Sequence, residues 1–235
     1  MFFKNILASG LILGFFGVLG ALLVSGTEQQ TREIIIHNER MALLNQLYKL
    51  VPQSEIDNDF LQHPLTLNAP EFLGIDDTQA YIGTQQGKLS AIVFEATIPN
   101  GYAGPILMLV AVDSKGTLKG VRIVSHSETP GLGDKIELER SDWVLGFNGK
   151  SLTDPDEAHW KVKKDGGEFD QFTGATITPR AIVNSVRKAL LYFDQEHQEI
   201  FKRYLKEAQD EAQKETPKTA NIEADVEDKI SSTSR

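Results

Sequence analysis

From Ile6 to Val24 the chain reads ILASGLILGFFGVLGALLV, nineteen residues without a charge or a proline. As a helix rising about 1.5 Å per residue this run is roughly 28 Å long, which matches the hydrocarbon core of a bilayer at about 30 Å. It can cross a membrane. A removable secretory signal has a shorter apolar stretch of about 7 to 15 residues, so the run reads as an uncleaved anchor, although Val24-Ser25-Gly26 places small residues near its end. Lys4 and the terminal amine precede the span, while Glu28, Arg32 and Glu33 follow it. Basic flanks stay in the cytoplasm, which puts residues 1–5 there, 6–24 in the membrane, and the bulk of the chain on the far side. Gly10 and Gly14 form a small-xxx-small pair followed by Gly17 and Gly20. Either another membrane helix approaches there or the glycines are simply common in such spans.

Composition removes several functions. Against 33 Asp plus Glu there are 24 Lys plus Arg, a formal net charge of -9, so no nucleic-acid partner is expected. With no cysteine, disulfides, cysteine-ligated iron–sulfur clusters and c-type haem attachment are excluded. The histidines at 37, 63, 126, 159 and 197 are never three or four apart, so none pair on a helix face as metal ligands do, and no metal site is expected. A redox role would need another cofactor.

Past the span, residues 25–78 read as a helical connector and linker. Thr31 to Val51 is amphipathic, with Ile35, Ala42, Leu43, Leu47 and Leu50 near one face, and Pro52 ends it. Pro52 to Thr78 is rich in Asp, Asn and Pro, and predicts one or two short strands. A domain at 79–205 follows. Strands are predicted at 80–83, 89–97, 106–112 and 118–125, separated by Gln85-Gln86-Gly87-Lys88, Pro99-Asn100-Gly101 and Asp113-Ser114-Lys115-Gly116. Such short links favour antiparallel pairing, and the nearly unbroken apolar run 106–112 suits a strand covered on both faces. A helix-like piece is expected over 134–142, and a last helix from about Pro179 to Lys206 with Ile182, Val186, Ala189, Leu190 and Phe193 at core spacing. The tail 206–235 carries five positive and eight negative side chains and reads as disordered or as a frayed helix extension. The fold class is α+β, a single N-terminal transmembrane helix followed by a domain whose antiparallel sheet is packed by helices.

Two segments could carry chemistry. Ser125-His126-Ser127-Glu128-Thr129-Pro130-Gly131-Leu132-Gly133 follows a predicted strand. Its glycines let backbone N–H groups approach a flat or anionic ligand, although a plain Pro-Gly turn has the same spacing. His126 carries no catalytic weight on this reading. In the second segment, Phe169-Asp170-Gln171-Phe172-Thr173-Gly174-Ala175-Thr176-Ile177-Thr178-Pro179-Arg180, Thr178 before Pro179 has the form of an N-cap with proline at the first helical position. Three hydroxyls, of Thr173, Thr176 and Thr178, then crowd a helix N-terminus, which favours a phosphate. Threonines that only cap the helix would look the same. Trp143, Trp160, Tyr102 and Phe172 fit either a stacked ring or the core, with core expected for each Trp. Lys161, Lys163 and Lys164 fit either a phosphate contact or a solvated turn.

Asp170 to Thr176 matches Asp-x-x-(Ser/Thr)-Gly-Ala-(Thr/Ser), and the chain resembles the FMN-binding domains of the G subunit of the Rnf/Rsx electron transport complex and of the C subunit of the Na+-translocating NADH:quinone reductase. Gly101-Tyr102, Gly104-Pro105-Ile106, the His126 to Gly133 loop, Trp160 to Lys164 and Gly166-Gly167 stand as in the Rnf G subunit. The resemblance implies FMN joined through its phosphate to the Thr176 hydroxyl, formally a phosphoprotein, made from FAD by a flavin transferase that reads Asp170, Thr173, Gly174 and Ala175. It further implies Thr173, Gly174, Ala175, Thr178, Glu128, Thr129, Gly131, Leu132 and Gly133 as cofactor-binding residues, with the isoalloxazine ring against the 128–133 loop. No residue is expected to be catalytic. The implied setting is the bacterial inner membrane, single-pass, with the main domain periplasmic and other membrane and iron–sulfur subunits as partners.

The implied role is an electron-transfer subunit, not catalytic alone, in a complex that couples ferredoxin/NAD-linked electron flow to Na+ or H+ transport or keeps a redox sensor reduced. The quinone-reductase C subunit is the alternative within this chemistry. A membrane-tethered binding or scaffold domain without redox function is the alternative outside it.

Overall fold

The computed structural model describes residues 2–232 and divides the chain into two units, Met1–Asn45 and Gln46–Arg235. The first helix, α1 (Phe2–Leu50), is continuous, where the sequence predicts a span and a separate amphipathic helix. Ser25-Gly26-Thr27 contains no proline, and one glycine costs a helix only about 1 kcal/mol, too little to break a ladder propagating from both sides. Pro52 is the first proline, and the helix stops just before it. The helix is long and apolar enough to cross a membrane. Of the expected amphipathic face, Leu47 and Leu50 are buried, whereas Ile35 is 51% exposed.

Five antiparallel strands form one sheet in sequence order: β1 (Leu65–Leu67), β2 (Thr78–Gln85), β3 (Lys88–Ile98), β4 (Ile106–Asp113) and β5 (Leu118–Ser125). A four-residue helix, α2 (Pro70–Leu73), sits between β1 and β2. The β2–β3 link puts Gln86 at φ 53° and Gly87 at φ 71°, the paired positive values of a tight hairpin whose twist matches its strands. Along β4 the side chains alternate. Ile106, Met108, Val110 and Val112 enter the main core, and Leu109 and Ala111 are buried on the opposite face. That second face takes in Leu50, whose side chain closes on Gly120, and Phe60, which closes on Gly83, so the segment read as a connector supplies part of the packing.

After β5 the chain runs through short 3-10 turns, at Asp134–Ile136 and Asp142–Phe147 where one helix-like piece is predicted. It then enters α3 (Ile177–Ser232). Ile182, Val186, Ala189, Leu190 and Phe193 of α3 are buried against the sheet, as their spacing predicts. Trp160 and Phe147 are buried with Phe169, and Trp143 meets Phe172 edge-on at 5.1 Å, so both tryptophans serve packing. The backbone of α3 continues into the acidic tail; the last three residues of that tail, 233–235, lie outside the described residues.

Candidate functional site

The helix begins two residues earlier than the Thr178-Pro179 pattern predicts. The Thr176 carbonyl accepts the Arg180 N–H at 3.3 Å, so Thr176 is the N-cap and Pro179 the third helical residue. Proline is accommodated there because the first helical N–H groups lack intrahelical acceptors in any case. The shift changes what each hydroxyl does. Thr178, fully buried, donates its hydroxyl to Glu128 Oε2 at 2.6 Å. The hydroxyls of Thr173 and Thr176 have no hydrogen-bond partner among the described residues, and neither do the backbone N–H groups of Ile177 and Thr178. Capping therefore does not account for Thr173 and Thr176. The N-cap position carries a free hydroxyl beside unpaired donors at the positive end of a helix dipole.

The motif turn is held from outside. Asp170 pairs with Lys163 at 2.6 Å and its carbonyl accepts the Trp143 indole N–H at 2.8 Å. Gln171 accepts the Lys164 N–H, and Ala175 donates to the Phe172 carbonyl at 3.1 Å. Lys163 and Lys164 thus brace the turn. Gly174 adopts φ 85°, a left-handed conformation that favours glycine, and a Cβ there would stand 3.7 Å from Leu132.

That contact joins the two segments singled out in the sequence. In the upstream loop, Glu128 is 4% exposed and its Oε1 accepts the Ala103 N–H at 3.1 Å. One carboxylate thereby links the 101–104 loop, its own loop and the first turn of α3. Gly133 and Gly101 lie hard against it, since a Cβ would come within 2.7 Å and 2.9 Å of its oxygens. The Glu128 N–H donates to His126 Nδ1 at 2.9 Å, and His126 Nε2 faces Glu137 at 2.8 Å, so His126 braces the loop. The Thr129 carbonyl accepts both the Leu132 and the Gly133 N–H groups, so those two expected backbone donors are engaged inside the loop. Gly131 takes φ 79°, and Thr129 and Leu132 face solvent. Tyr102 is 67% exposed.

A feature with no counterpart in the sequence patterns is a groove of about 1080 Å³ between the 157–165 segment and α3, into which Ile177, Arg180 and Asn184 project. Its helical wall sets Arg180, Asn184 and Arg187 at a spacing that reads as an ordinary solvent face, with Ile177 and Ala181 beside them, and the opposing wall has no periodic signal at all.

The residues present suit FMN phosphate at Thr176: a free hydroxyl, two unpaired N–H donors, and a glycine that leaves room at position 174. The family described as FMN-binding domain matches residues 101–191, and the RnfG N-terminal region matches residues 1–50. Over 192 residues the chain is 48% identical to the G subunit of the ion-translocating oxidoreductase complex of Pseudomonas aeruginosa, covering 81% of this chain and 90% of that protein. It is 44% identical over 201 residues to the corresponding G subunit of Shewanella loihica, covering 85% and 95%, and 46% identical over 193 residues to that of Vibrio atlanticus, covering 82% and 92%.

Proposed function

The chain belongs to the family of G subunits of ion-translocating oxidoreductase complexes, and from that premise we propose that it relays electrons within such a complex through FMN ester-linked to Thr176. Its FMN-binding domain and apolar N-terminal helix make it a membrane-anchored flavoprotein. The observation that carries the attachment is the N-cap hydroxyl of Thr176, free of hydrogen bonds and beside the unpaired N–H groups of Ile177 and Thr178.

The flavin transferase forms the ester from FAD. The Thr176 hydroxyl loses its proton, its oxygen bonds to the flavin-side phosphorus, and AMP leaves with the broken pyrophosphate bond. The product phosphodiester keeps one negative charge, suited to the helix N-terminus. Asp170, Thr173, Gly174 and Ala175 give the transferase its target turn. The isoalloxazine ring lies against the 128–133 loop, with Thr129, Gly131, Leu132 and Gly133 lining its seat and the Glu128–Thr178 hydrogen bond holding that loop to the start of α3. Bound FMN supplies one- and two-electron chemistry at its ring, and the polypeptide's part is to tether and orient it.

Residues 1–5 lie in the cytoplasm, 6–24 span the bacterial inner membrane, and the flavin domain at 79–205 is periplasmic among the membrane and iron–sulfur subunits. Electron flow between ferredoxin and NAD is coupled there to Na+ or H+ transport, or serves to keep a redox sensor reduced. The test is the intact mass of the chain purified from its native host. A gain of one FMN less one water, with yellow fluorescence that survives boiling in detergent, supports the proposal. A bare chain from pigmented complexes reduces it to an anchored domain without flavin.

A further inference from the structure

The first turn of α3 hangs on residue 180. Pro179 has no N–H to give, so the earliest intrahelical donor is the Arg180 N–H, which meets the Thr176 carbonyl at 3.3 Å. The same residue is pinned from outside, because its guanidinium forks onto Asp165 at 2.6 and 2.9 Å. Asp165 closes a 3-10 turn, Lys163–Asp165, whose C-cap Gly166 takes φ 83°. That turn is seated by the buried side chains of Trp160 and Val162, and by Gly167, whose backbone lies so close to that of Lys161 that no Cβ would fit. Its other end holds the opposite flank of the motif: Lys163 pairs with Asp170 at 2.6 Å, and the Lys164 N–H reaches Gln171 Oε1 at 3.1 Å. Three consecutive residues thus grip the chain six residues before Thr176 and four residues after it.

We infer that Arg180 and Asp165 are positioning residues for flavin attachment: their ion pair holds the start of α3 at Thr176 instead of Thr178, and so presents the Thr176 hydroxyl to the flavin transferase. The inference rests on the proposed ester at Thr176. Local sequence favours the later start, since Thr178-Pro179 has the form of an N-cap with proline at the first helical position. A helix beginning there would put the Thr178 hydroxyl at the positive end of the dipole and leave Thr176 in the preceding turn. Two contacts oppose that start. Glu128 takes the Thr178 hydroxyl away from capping, and Asp165 fixes the residue whose N–H closes the earlier turn. The second contact lies at the surface, where an ion pair adds little to global stability. Helix ends fray far more easily than the domain unfolds, so its weight falls on the first turn. The guanidinium is committed to Asp165 through two N–H groups, so Arg180 acts through the backbone of Thr176 and not on the phosphate. Arg187 supplies the comparison: seven residues further along α3 it pairs with Glu157 at 3.1 Å, an ion pair of the same kind that touches neither flank of the motif.

The experiment follows the initial rate at which the full-length chain is labelled by its transferase from FAD, read by in-gel fluorescence over a range of chain concentrations. It compares Arg180→Gln, Asp165→Asn, the exchanged pair Arg180→Asp with Asp165→Arg, and Arg187→Gln, each shown to be folded by circular dichroism. Arg180→Gln and Asp165→Asn are each expected to lower kcat by on the order of 10- to 100-fold, the effect of an acceptor displaced by about 1 Å, and to leave KM unchanged. The exchanged pair is expected to recover most of the rate, and Arg187→Gln to label as wild type does. Rapid labelling of Asp165→Asn beside slow labelling of Arg180→Gln overturns the inference and makes Arg180 a direct ligand of the phosphate. A raised KM with unchanged kcat overturns it by assigning the pair to the surface that the transferase grips. Equal slowing by Arg187→Gln, or an exchanged pair as slow as the single variants, also overturns it. A wild-type chain that takes no covalent flavin removes the ester and the positioning together, whereas wild-type labelling of the Arg180 and Asp165 variants removes the positioning alone.

Discussion

Thr178 Oγ1 donates to Glu128 Oε2 at 2.6 Å across a separation of 50 residues, and both side chains are buried. This single contact registers the start of α3 against the loop that follows β5. With the Ala103 N–H on its other oxygen, the carboxylate fixes where the first turn of the helix sits, and therefore where the N-cap hydroxyl of Thr176 points. A buried acceptor of this kind stabilises modestly when paired and costs more when left alone.

Removing the donor leaves the acceptor stranded. Thr178→Val, which keeps the shape and deletes the hydroxyl, is expected to lower stability by about 1–3 kcal/mol, and Thr178→Ser to restore most of it. Chemical denaturation of the domain measures both. Equal stability of the valine variant and the wild type would show that the hydrogen bond does not hold the turn.

Thr176 predicts the opposite pattern. Its hydroxyl bonds to nothing among the described residues, so Thr176→Val is expected to change stability by no more than about 0.5 kcal/mol while abolishing covalent flavin. Thr176→Ser retains the reacting oxygen and should be labelled. In-gel fluorescence and the unfolding midpoint, read on the same preparations, separate attachment from folding; a flavinylated valine variant would move the ester elsewhere.

Gly131 and Gly133 are two apart in sequence and differ in why they are glycine. A Cβ at Gly133 would sit 2.7 Å from Glu128 Oε2 and 2.9 Å from Glu128 Cβ, so Gly133→Ala overpacks a buried contact and is expected to cost about 1–3 kcal/mol. At Gly131 space is open and only its φ of 79° resists a side chain, a cost of about 1–2 kcal/mol that asparagine relieves. Gly131→Asn should therefore be better tolerated than Gly133→Asn in thermal unfolding, and the reverse order would place the clash elsewhere.

Local chemistry made part of this molecule legible. The alternation and turn residues between 80 and 125 predict four antiparallel strands, and the hairpin at Gln86-Gly87 bears out its turn signal. The Asp170 to Thr176 motif marks the turn that leads into α3. What could not be read depends on partners far away in sequence. Thr178 looks like an N-cap because nothing local reveals that Glu128 claims its hydroxyl, and proline is acceptable throughout the first turn, so Pro179 fixes the helix start only to within two residues. The groove is equally hidden. Asn184 and Arg187 occupy a polar helix face, and only the irregular chain around Lys161, placed by buried Trp160 and Val162, turns that face into a wall.

Two exposed aspartates give the domain an acid-sensitive component of known sign. The Thr84 hydroxyl at 2.8 Å and the Gln86 N–H at 2.5 Å hold Asp57 below the usual aspartate range, and the Arg180 guanidinium does the same for Asp165. Since each folded-state pKa lies below its unfolded value, the unfolded chain binds more protons in acid. The stabilisation is complete above the ordinary aspartate pKa of about 4 and disappears as the pH falls through the folded-state values. Asp57→Asn and Asp165→Asn should thus unfold more easily than wild type at neutral pH, with the difference shrinking once the pH drops below about 4. Added salt should shrink it further for Asp165→Asn, whose partner is a charge at the surface, than for Asp57→Asn, whose partners are neutral donors. Unfolding midpoints across pH at two ionic strengths measure this, and a difference that stays constant into acid would mean that neither carboxylate is held by these contacts.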